Sequence, residues 1–455
     1  MSIAIIGGGI SGLSLGYYLL EKEPDLELVI LEADKRPGGK IRTDRIKGFL
    51  CESGVNGFLD NKPLTLQFIK SISLSPLKSN EASKKRYIYK KGRLYRLPES
   101  AGAFISSGLI SPCGKGRLLF EIITPRSQEE DETLASFAKR RLGKEAYEMF
   151  IDPMASGIYA GDPEMLSIRS CFPRIYQLEK KYGSLFRALF QLQKEAKKTG
   201  KEVGPSPGGT LTSFYDGMEA VVSKLKEILR DKIKTSSKVS AIERKNDRYG
   251  IYIQNGEEII TERVVLACPA YEASSILESM DKRLSWELSH IPYPPVSVAC
   301  LGYRIEDISA KLDGFGFLVP GVEKRRILGT LWDSSIFPNR APEGSVLLRT
   351  MVGGARNPDV ALQDEEEIVQ TVREELDDIM GLDAEPELVS VYKHEKAIPQ
   401  YNLGHYRIVE SVETITRTMK GFYLTGNAYH GIGFNDCIEN SYKLSQRILE
   451  ELRSN

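Results

Sequence analysis

Ser2-Ile3-Ala4-Ile5-Ile6-Gly7-Gly8-Gly9-Ile10-Ser11-Gly12-Leu13 opens on an apolar run of strand length, passes through a glycine turn and enters an apolar helical pattern. Gly7, Gly9 and Gly12 make a Gly-x-Gly-x-x-Gly between strand and helix. In that motif the first glycine allows the tight turn, the second lets backbone approach a pyrophosphate, and the third lets helix pack on strand. A helix starting at Ile10 and Ser11 turns free N–H groups and a positive dipole end toward phosphate. Leu28-Val29-Ile30-Leu31 reads as a second strand and ends at Glu32, twenty residues beyond Gly12. A carboxylate there holds a ribose hydroxyl and repels a 2′-phosphate, which disfavours NADP. Glycine-rich turns also arise for packing alone. Strand, helix, second strand and terminal acid in register point to a dinucleotide.

The next block, Glu32-Ala33-Asp34-Lys35-Arg36-Pro37-Gly38-Gly39-Lys40-Ile41-Arg42-Thr43, separates two kinds of dinucleotide. A nicotinamide site needs no second Gly-Gly turn with basic residues after the ribose acid. A longer, extended cofactor does: Gly38 and Gly39 permit close approach, and Arg36 and Arg42 can face phosphate. The alternative is an ordinary basic loop. This block resembles the flavin-containing amine oxidase and desaturase superfamily. The resemblance implies non-covalent FAD on a Rossmann-like domain of glutathione-reductase type, with Ala33 and Lys40 among the contacts.

Two distant segments are expected to close the same site. Lys238–Ile242, Tyr249–Gln254 and Glu258–Arg263 read as short strands between Asn246-Asp247 and Asn255-Gly256 turns, followed by the buried-strand pattern Val264–Cys268. The resemblance implies that this meander carries Val239 near the adenine. Gly421–Asn427 reads as strand and tight turn at Gly426 and Asn427, and Gly433-Phe434 as the start of a helix running to about Arg453. Related flavoproteins often carry an acid where this chain has Asn427.

The 455 residues divide into about three domains. Lys plus Arg and Asp plus Glu number 62 each; with no net charge there is no bulk electrostatic case for nucleic acid. The apolar runs are far below the ~18–20 residues of a membrane span, and the chain starts without a leader-like segment. Six scattered cysteines and four histidines show no metal-ligand spacing, so no metal is expected. The thiols read as buried in a reducing, cytoplasmic setting. The expected organisation is a mixed α/β chain: FAD-binding segments 1–75, 204–280 and 410–455, a helical insertion 76–203, and a substrate-binding sheet domain 281–409. Gly204–Gly209 is the expected flexible boundary. Charge is uneven: Lys78–Arg126 holds 11 basic and 3 acidic residues, and Ala361–Glu387 holds 1 basic and 11 acidic. The acidic stretch reads as a solvated helix face. The basic stretch alternates with Phe104, Ile105, Leu109, Ile110, Leu118, Leu119, Phe120, Ile122 and Ile123. It is either a core element with basic flanks or a peripheral surface on an anionic, cytoplasmic membrane face.

Over its whole length the chain further resembles the protoporphyrinogen oxidase family. The carrying stretches are Asp131–Gly143, Gly157–Asp162, Leu166–Pro173, Gly314–Pro320, Ile398–His405 and Gly426–Ile438. The resemblance implies six-electron oxidation of protoporphyrinogen IX to protoporphyrin IX in haem synthesis, with O2 as acceptor giving H2O2. Arg86 stands where the family places a propionate-binding arginine and Tyr87 where an aromatic flanks the macrocycle. Phe315, Leu318 and Met351 stand where apolar residues sandwich the rings, and Gly157 where a backbone carbonyl faces the pyrrole nitrogens. Asn56 replaces an arginine of some members and cannot form that ion pair. The branch acting on coproporphyrinogen III typically has Pro where this chain has Asn435, which leans the reading to protoporphyrinogen. Coproporphyrinogen oxidation remains the alternative. An amine oxidase, a desaturase or a non-catalytic flavin-fold protein is more distant. Arg86 as a solvated basic residue and Phe315, Leu318 and Met351 as plain core also stay open. No protein base or nucleophile is expected: His394, His405 and His430 read as structural. The oligomeric state is open between monomer and homodimer.

Overall fold

The computed structural model describes residues 2–199 and 208–454. Its organising layer is a five-stranded parallel sheet in the order Ile233–Lys234, Glu27–Leu31, Ser2–Ile6, Arg263–Leu266, Phe422–Leu424. We name Ser2–Ile6 β1, Ile10–Lys22 α1 and Glu27–Leu31 β2. β1 lies mid-sheet with both faces covered, which is why its sequence is continuously apolar rather than alternating. On one face α1 packs with the helices Glu219–Leu229 and Phe434–Arg453 around Leu13, Leu15, Val222, Ile438 and Ile448. On the other lies an antiparallel meander, Val239–Lys245, Arg248–Ile253 and Glu258–Thr261. With it pack the helices Ala270–Leu277, Lys282–Ser289 and His405–Arg417. The strands expected in the dinucleotide-type half are present, and the edge strand Ile233–Lys234 is added to them.

A seven-stranded mixed sheet runs Leu388–His394, Val296–Arg304, Ser345–Gly353, Ile327–Trp332, Gly316–Leu318, Tyr87–Lys90, Arg93–Arg96. One face is sealed by the amphipathic helix Glu365–Met380, whose Ile368, Val372, Leu376 and Ile379 meet Leu301, Phe317 and Trp332. The acidic stretch supplies most of that helix's solvent side, but Glu375 is buried and pairs with Arg325 and Arg326. Its first turn carries Glu365–Glu367 and a capping box on Asp364, where negative charge suits the dipole.

The structure moves two expected boundaries. Tyr87–Lys90 and Arg93–Arg96 complete the seven-stranded sheet, through parallel pairing of Phe317 with Tyr87 and Leu318 with Ile88. The helical insertion consequently starts at Ala101 instead of residue 76. The helix His405–Arg417 packs with the FAD-type half, so the last segment begins before residue 410. Both shifts come from long-range pairing that local periodicity does not carry. Of the expected boundary Gly204–Gly209, the part up to Pro207 lies outside the described residues.

Candidate active site

The first half of the site grows from the glycine turn. A Cβ on Gly12 would run into the Gly7 carbonyl, so this glycine is required for α1 to sit on β1. Gly9 is different: a Cβ there would meet nothing within 4 Å. Its Cα faces open space at the N-terminus of α1, which has no side-chain cap, leaving the first amides of Ile10 and Ser11 for a ligand. Glu32 directly follows β2, buried. Its Oε2 accepts from Gly8 N at 2.8 Å and its Oε1 from Asp34 N at 2.9 Å, and burial raises its pKa. Ala33 follows it, exposed, and Val239 opens the meander, buried.

Gly38 and Gly39 lie over this turn, Gly38 N donating to Gly8 O at 2.7 Å. The structure differs from expectation at Arg36. Its guanidinium is engaged with Glu219 at 3.2 Å and with the carbonyls of Pro37, Gly39 and Ile41. It ties the turn to the helix Glu219–Leu229. Lys40 turns inward, its Nζ 5.8 Å from the Tyr293 ring; among the described residues no carboxylate pairs with it. Burial lowers this amine to about 8. Opposite, Gly426 leaves the strand Phe422–Leu424, and the loop Asn427–Gly433 delivers the N-terminus of the helix starting at Phe434. Asp436 Oδ2 accepts from Gly433 N, and Phe434 stacks on Phe58 at 5.2 Å.

The second half lies between the seven-stranded sheet and the helix Asp152–Tyr159, which forms a roof. Leu318 pairs with Gly329, and Gly329 with Met351. These three therefore point to one face, with a glycine between two apolar side chains. Gly157 projects from the roof onto this row: a Cβ there would stand 2.9 Å from Leu318 Cδ2. Leu318, Met351 and Phe315 are half-buried and Gly157 is exposed. The exposed Arg86 lies 5.3 Å above the Phe315 ring, and among the described residues it has no carboxylate partner. Tyr87 is a correction. It alternates to the other face of the strand, where its ring meets Trp332 at 5.3 Å and its hydroxyl donates to Asp313 O. Half-buried, it packs against the outer layer of that sheet.

Asn56 does not stand free either. Its Nδ2 donates to Asp333 Oδ1 at 3.3 Å, and Asp333 pairs with Arg349 Nε at 2.9 Å. Arg349 is 1% exposed and also donates to Gly54 O at 2.9 Å. Sequence reading missed this buried pair, although strand alternation from Met351 puts residue 349 on the same face. It also missed the latch that seats the roof. Asp152 Oδ2 accepts from Gly321 N at 2.6 Å, Arg356 bridges Asp152 and Asp162, and Ala355 N donates to Ala160 O at 2.8 Å.

Residues 10–449 match the family model of the flavin containing amine oxidoreductases. The chain belongs to that family. Its curated relatives include the coproporphyrinogen III oxidase of Bacillus subtilis (strain 168), 31% identical over 96% of this chain and 95% of the relative. Another is protoporphyrinogen oxidase 1, chloroplastic, of Arabidopsis thaliana, 31% identical over 96% and 86%. A solved structure from Exiguobacterium sp. 255-15 superposes with TM-score 0.84 at 26% identity, covering 99% of both chains. Reduced UDP-galactopyranose mutase, 16% identical, gives 0.74 over 99% of this chain and 94% of the other, a likeness of fold.

FAD is the cofactor of this amine oxidoreductase-type chain, and its own atoms fit that group. Besides the open face of Gly9 and the uncapped α1, the buried Tyr429 hydroxyl has no protein partner, beside Tyr293 and Cys268. The described cysteines are all free thiols, and burial pushes Cys437 up to about 11 and Cys268 to about 12. His394 Nε2 donates to Ser53 O and His405 Nε2 to Ala428 O, and His430 Nε2 lies 2.9 Å from Glu413 Oε1. Asn435 donates to Leu59 O at 2.9 Å, fastening the first turn of the last helix. Among the described residues no His/Cys/Asp/Glu group could hold a metal.

Proposed function

We propose that this chain oxidises a porphyrinogen, by preference protoporphyrinogen IX, to the aromatic porphyrin of haem synthesis. The observation that carries the reading is the apolar row Leu318–Gly329–Met351 that Gly157 of the roof faces, with Arg86 over Phe315 beside it. A porphyrinogen is a broad apolar macrocycle with carboxylates on its rim. Burying a few hundred Å² of it contributes roughly 5–10 kcal/mol at ~25 cal/mol per Å² before ordering costs. One carboxylate on Arg86 adds about 1.5–3 kcal/mol and fixes orientation.

FAD, when bound, supplies a two-electron hydride acceptor that O2 regenerates with release of H2O2, three rounds accounting for the six hydrogens lost. The chain's part is positional. Gly157 lets the roof come close, Leu318 and Met351 exclude water, and Arg86 holds the rim so that a bridging carbon reaches the ~3–3.5 Å that hydride transfer needs. Residues supporting the cofactor assignment are Gly7, Gly9, Ile10, Ser11, Gly12, Glu32, Gly38, Gly39, Lys40, Gly426, Asn427, Gly433 and Phe434. Asn56, committed to Asp333, offers no second carboxylate anchor.

Purified protein is incubated with protoporphyrinogen and coproporphyrinogen separately, with and without air, and porphyrin fluorescence is followed. Oxygen-dependent fluorescence from protoporphyrinogen is the expected result; no fluorescence from either ends the proposal. The Bacillus relative favours a second reading, coproporphyrinogen III as substrate, and faster fluorescence from that compound would establish it. Arg86→Ala should raise KM about tenfold, the equivalent of ~1.4 kcal/mol, at unchanged FAD content.

The proposal includes peripheral attachment to a membrane. No described helix is long and apolar enough to cross one. Leu109 and Ile110 of the basic stretch are core, yet Ile105, Leu119, Phe120 and Ile123 are 72%, 74%, 57% and 71% exposed. This supports insertion of that surface into an anionic, cytoplasmic leaflet. Flotation with anionic liposomes at low salt should carry the protein upward; protein left at the bottom rejects this part.

A further inference from the structure

The stretch Ile398–His405 carries none of the chemistry above, yet its middle residues are almost completely buried: Gln400 is 2% exposed and Tyr401 1%. The Gln400 amide nitrogen and the Tyr401 hydroxyl reach the backbone of different walls, while Gln400 Oε1 is buried without a partner among the described residues. Gln400 Nε2 donates to the carbonyl of Tyr159, at the end of the roof helix, at 2.8 Å, and to Ile398 O at 3.0 Å. Two carbonyls on one nitrogen fix the amide's orientation, so the contact acts as a peg for the roof. Tyr401 faces the opposite way. Its hydroxyl donates to Asn427 O at 2.7 Å and accepts from Gly431 N at 3.0 Å. One oxygen thus spans both limbs of the loop that delivers the last helix toward the cofactor. His405 stacks on the Tyr401 ring at 4.0 Å and bonds Ala428 O in the same loop. The stretch itself is anchored, Gln400 N donating to Pro292 O and Ser167 N to Tyr401 O.

We propose that Gln400 and Tyr401 are positioning residues of one rigid strap that sets the distance between the substrate roof and the flavin loop, Gln400 acting on the roof and Tyr401 on the loop. The proposal rests on the porphyrinogen reading for the roof and on the family's FAD for the loop. Buried backbone groups that lose their partner carry the full desolvation penalty, so each wall loosens when its own peg is removed. The strap therefore has a signature that general loss of packing lacks. Neighbouring residues should affect different constants.

The test compares Tyr401→Phe and Gln400→Leu, with Gln400→Met as a second roof variant. FAD affinity is measured by titrating FAD into apoprotein and following its fluorescence. KM and kcat are measured on the holoenzyme with whichever porphyrinogen the wild type oxidises, and thermal melting confirms folding. Tyr401→Phe should weaken FAD binding about tenfold while KM stays within about twofold. Gln400→Leu and Gln400→Met should raise KM about tenfold while FAD affinity stays within about twofold. Equal changes in both constants for both residues, or FAD affinity within twofold in Tyr401→Phe, overturn the proposal. If no porphyrinogen is turned over even by the wild type, the functional reading fails, while the FAD titration still decides the Tyr401 half.

Discussion

Gly157 and Leu318 face each other so closely that a Cβ on the glycine would stand 2.9 Å from Leu318 Cδ2. The roof helix and the sheet are thus spaced for a hydrogen at this point, and any side chain at 157 must displace Leu318. Leu318 can shift its branch for a methyl but not for more. Gly157→Ala should raise KM for the porphyrinogen several-fold, and Gly157→Val should lower kcat/KM about a hundredfold, with FAD content unchanged. Steady-state kinetics beside the flavin absorbance checks this; a Val variant as active as wild type would move the substrate site elsewhere.

Gly9 and Gly12 share one motif yet answer to different constraints. A methyl on Gly12 strikes the Gly7 carbonyl within the protein, whereas a methyl on Gly9 meets only open space. Gly12→Ala should therefore destabilise the apoprotein by a few kcal/mol through overpacking. Gly9→Ala should leave apoprotein melting unchanged and weaken FAD binding about tenfold or more. Calorimetry of the apoproteins with FAD titration separates the two.

The buried pair Asp333–Arg349 contributes stability only as a pair. Both side chains are at most 1% exposed, and Asn56 and Gly54 O complete their hydrogen bonds. Removing one partner strands a buried charge at a cost of about 3–5 kcal/mol. Arg349→Met and Asp333→Leu should each show that loss in urea unfolding of the holoenzyme, and the double variant should lose less than either alone. An additive double variant would mean the two do not interact.

What the sequence carried was whatever lay close along the chain. The turn Gly7–Gly12, the acid Glu32 and the meander from Val239 were readable because strand, turn and helix signals follow one another within some thirty residues. Tyr87 was not. Its face is decided by parallel pairing with Phe317, a partner 230 positions away. The pairing of residues 87–96 into the sheet is invisible to local periodicity for the same reason. Arg36 was assigned by its neighbours in sequence, but Glu219 claims it across the fold. Asn56 was singled out for what it lacks; its partner Asp333 could be found only in three dimensions. In the basic stretch composition could not separate core from surface, and burial did, residue by residue.

Acid sensitivity is expected to run through His405. The imidazole is buried against Tyr401, with His430 and Asp131 as the ionisable groups acting on it, and burial lowers its pKa to about 4. Between about pH 6.5 and 4 the unfolded chain therefore takes up a proton at this residue that the folded chain refuses. More protons on the unfolded state means stability falls as pH falls, in total by about 3 kcal/mol for a shift of this size. Glu52 works the other way. Burial raises its carboxyl to about 7, so its contribution is present at low pH and is lost as pH rises toward 7. The net curve mixes both, and the comparison with a variant isolates the histidine. In urea unfolding at pH 7 and pH 4.5, the wild type should lose about 2–3 kcal/mol more than His405→Gln. Parallel losses in the two proteins would remove His405 from the account. The flavin gives a second reading of the same event, because His405 bonds Ala428 O in the loop leading to the last helix. Acidification should release FAD from the wild type at a higher pH than from the glutamine variant.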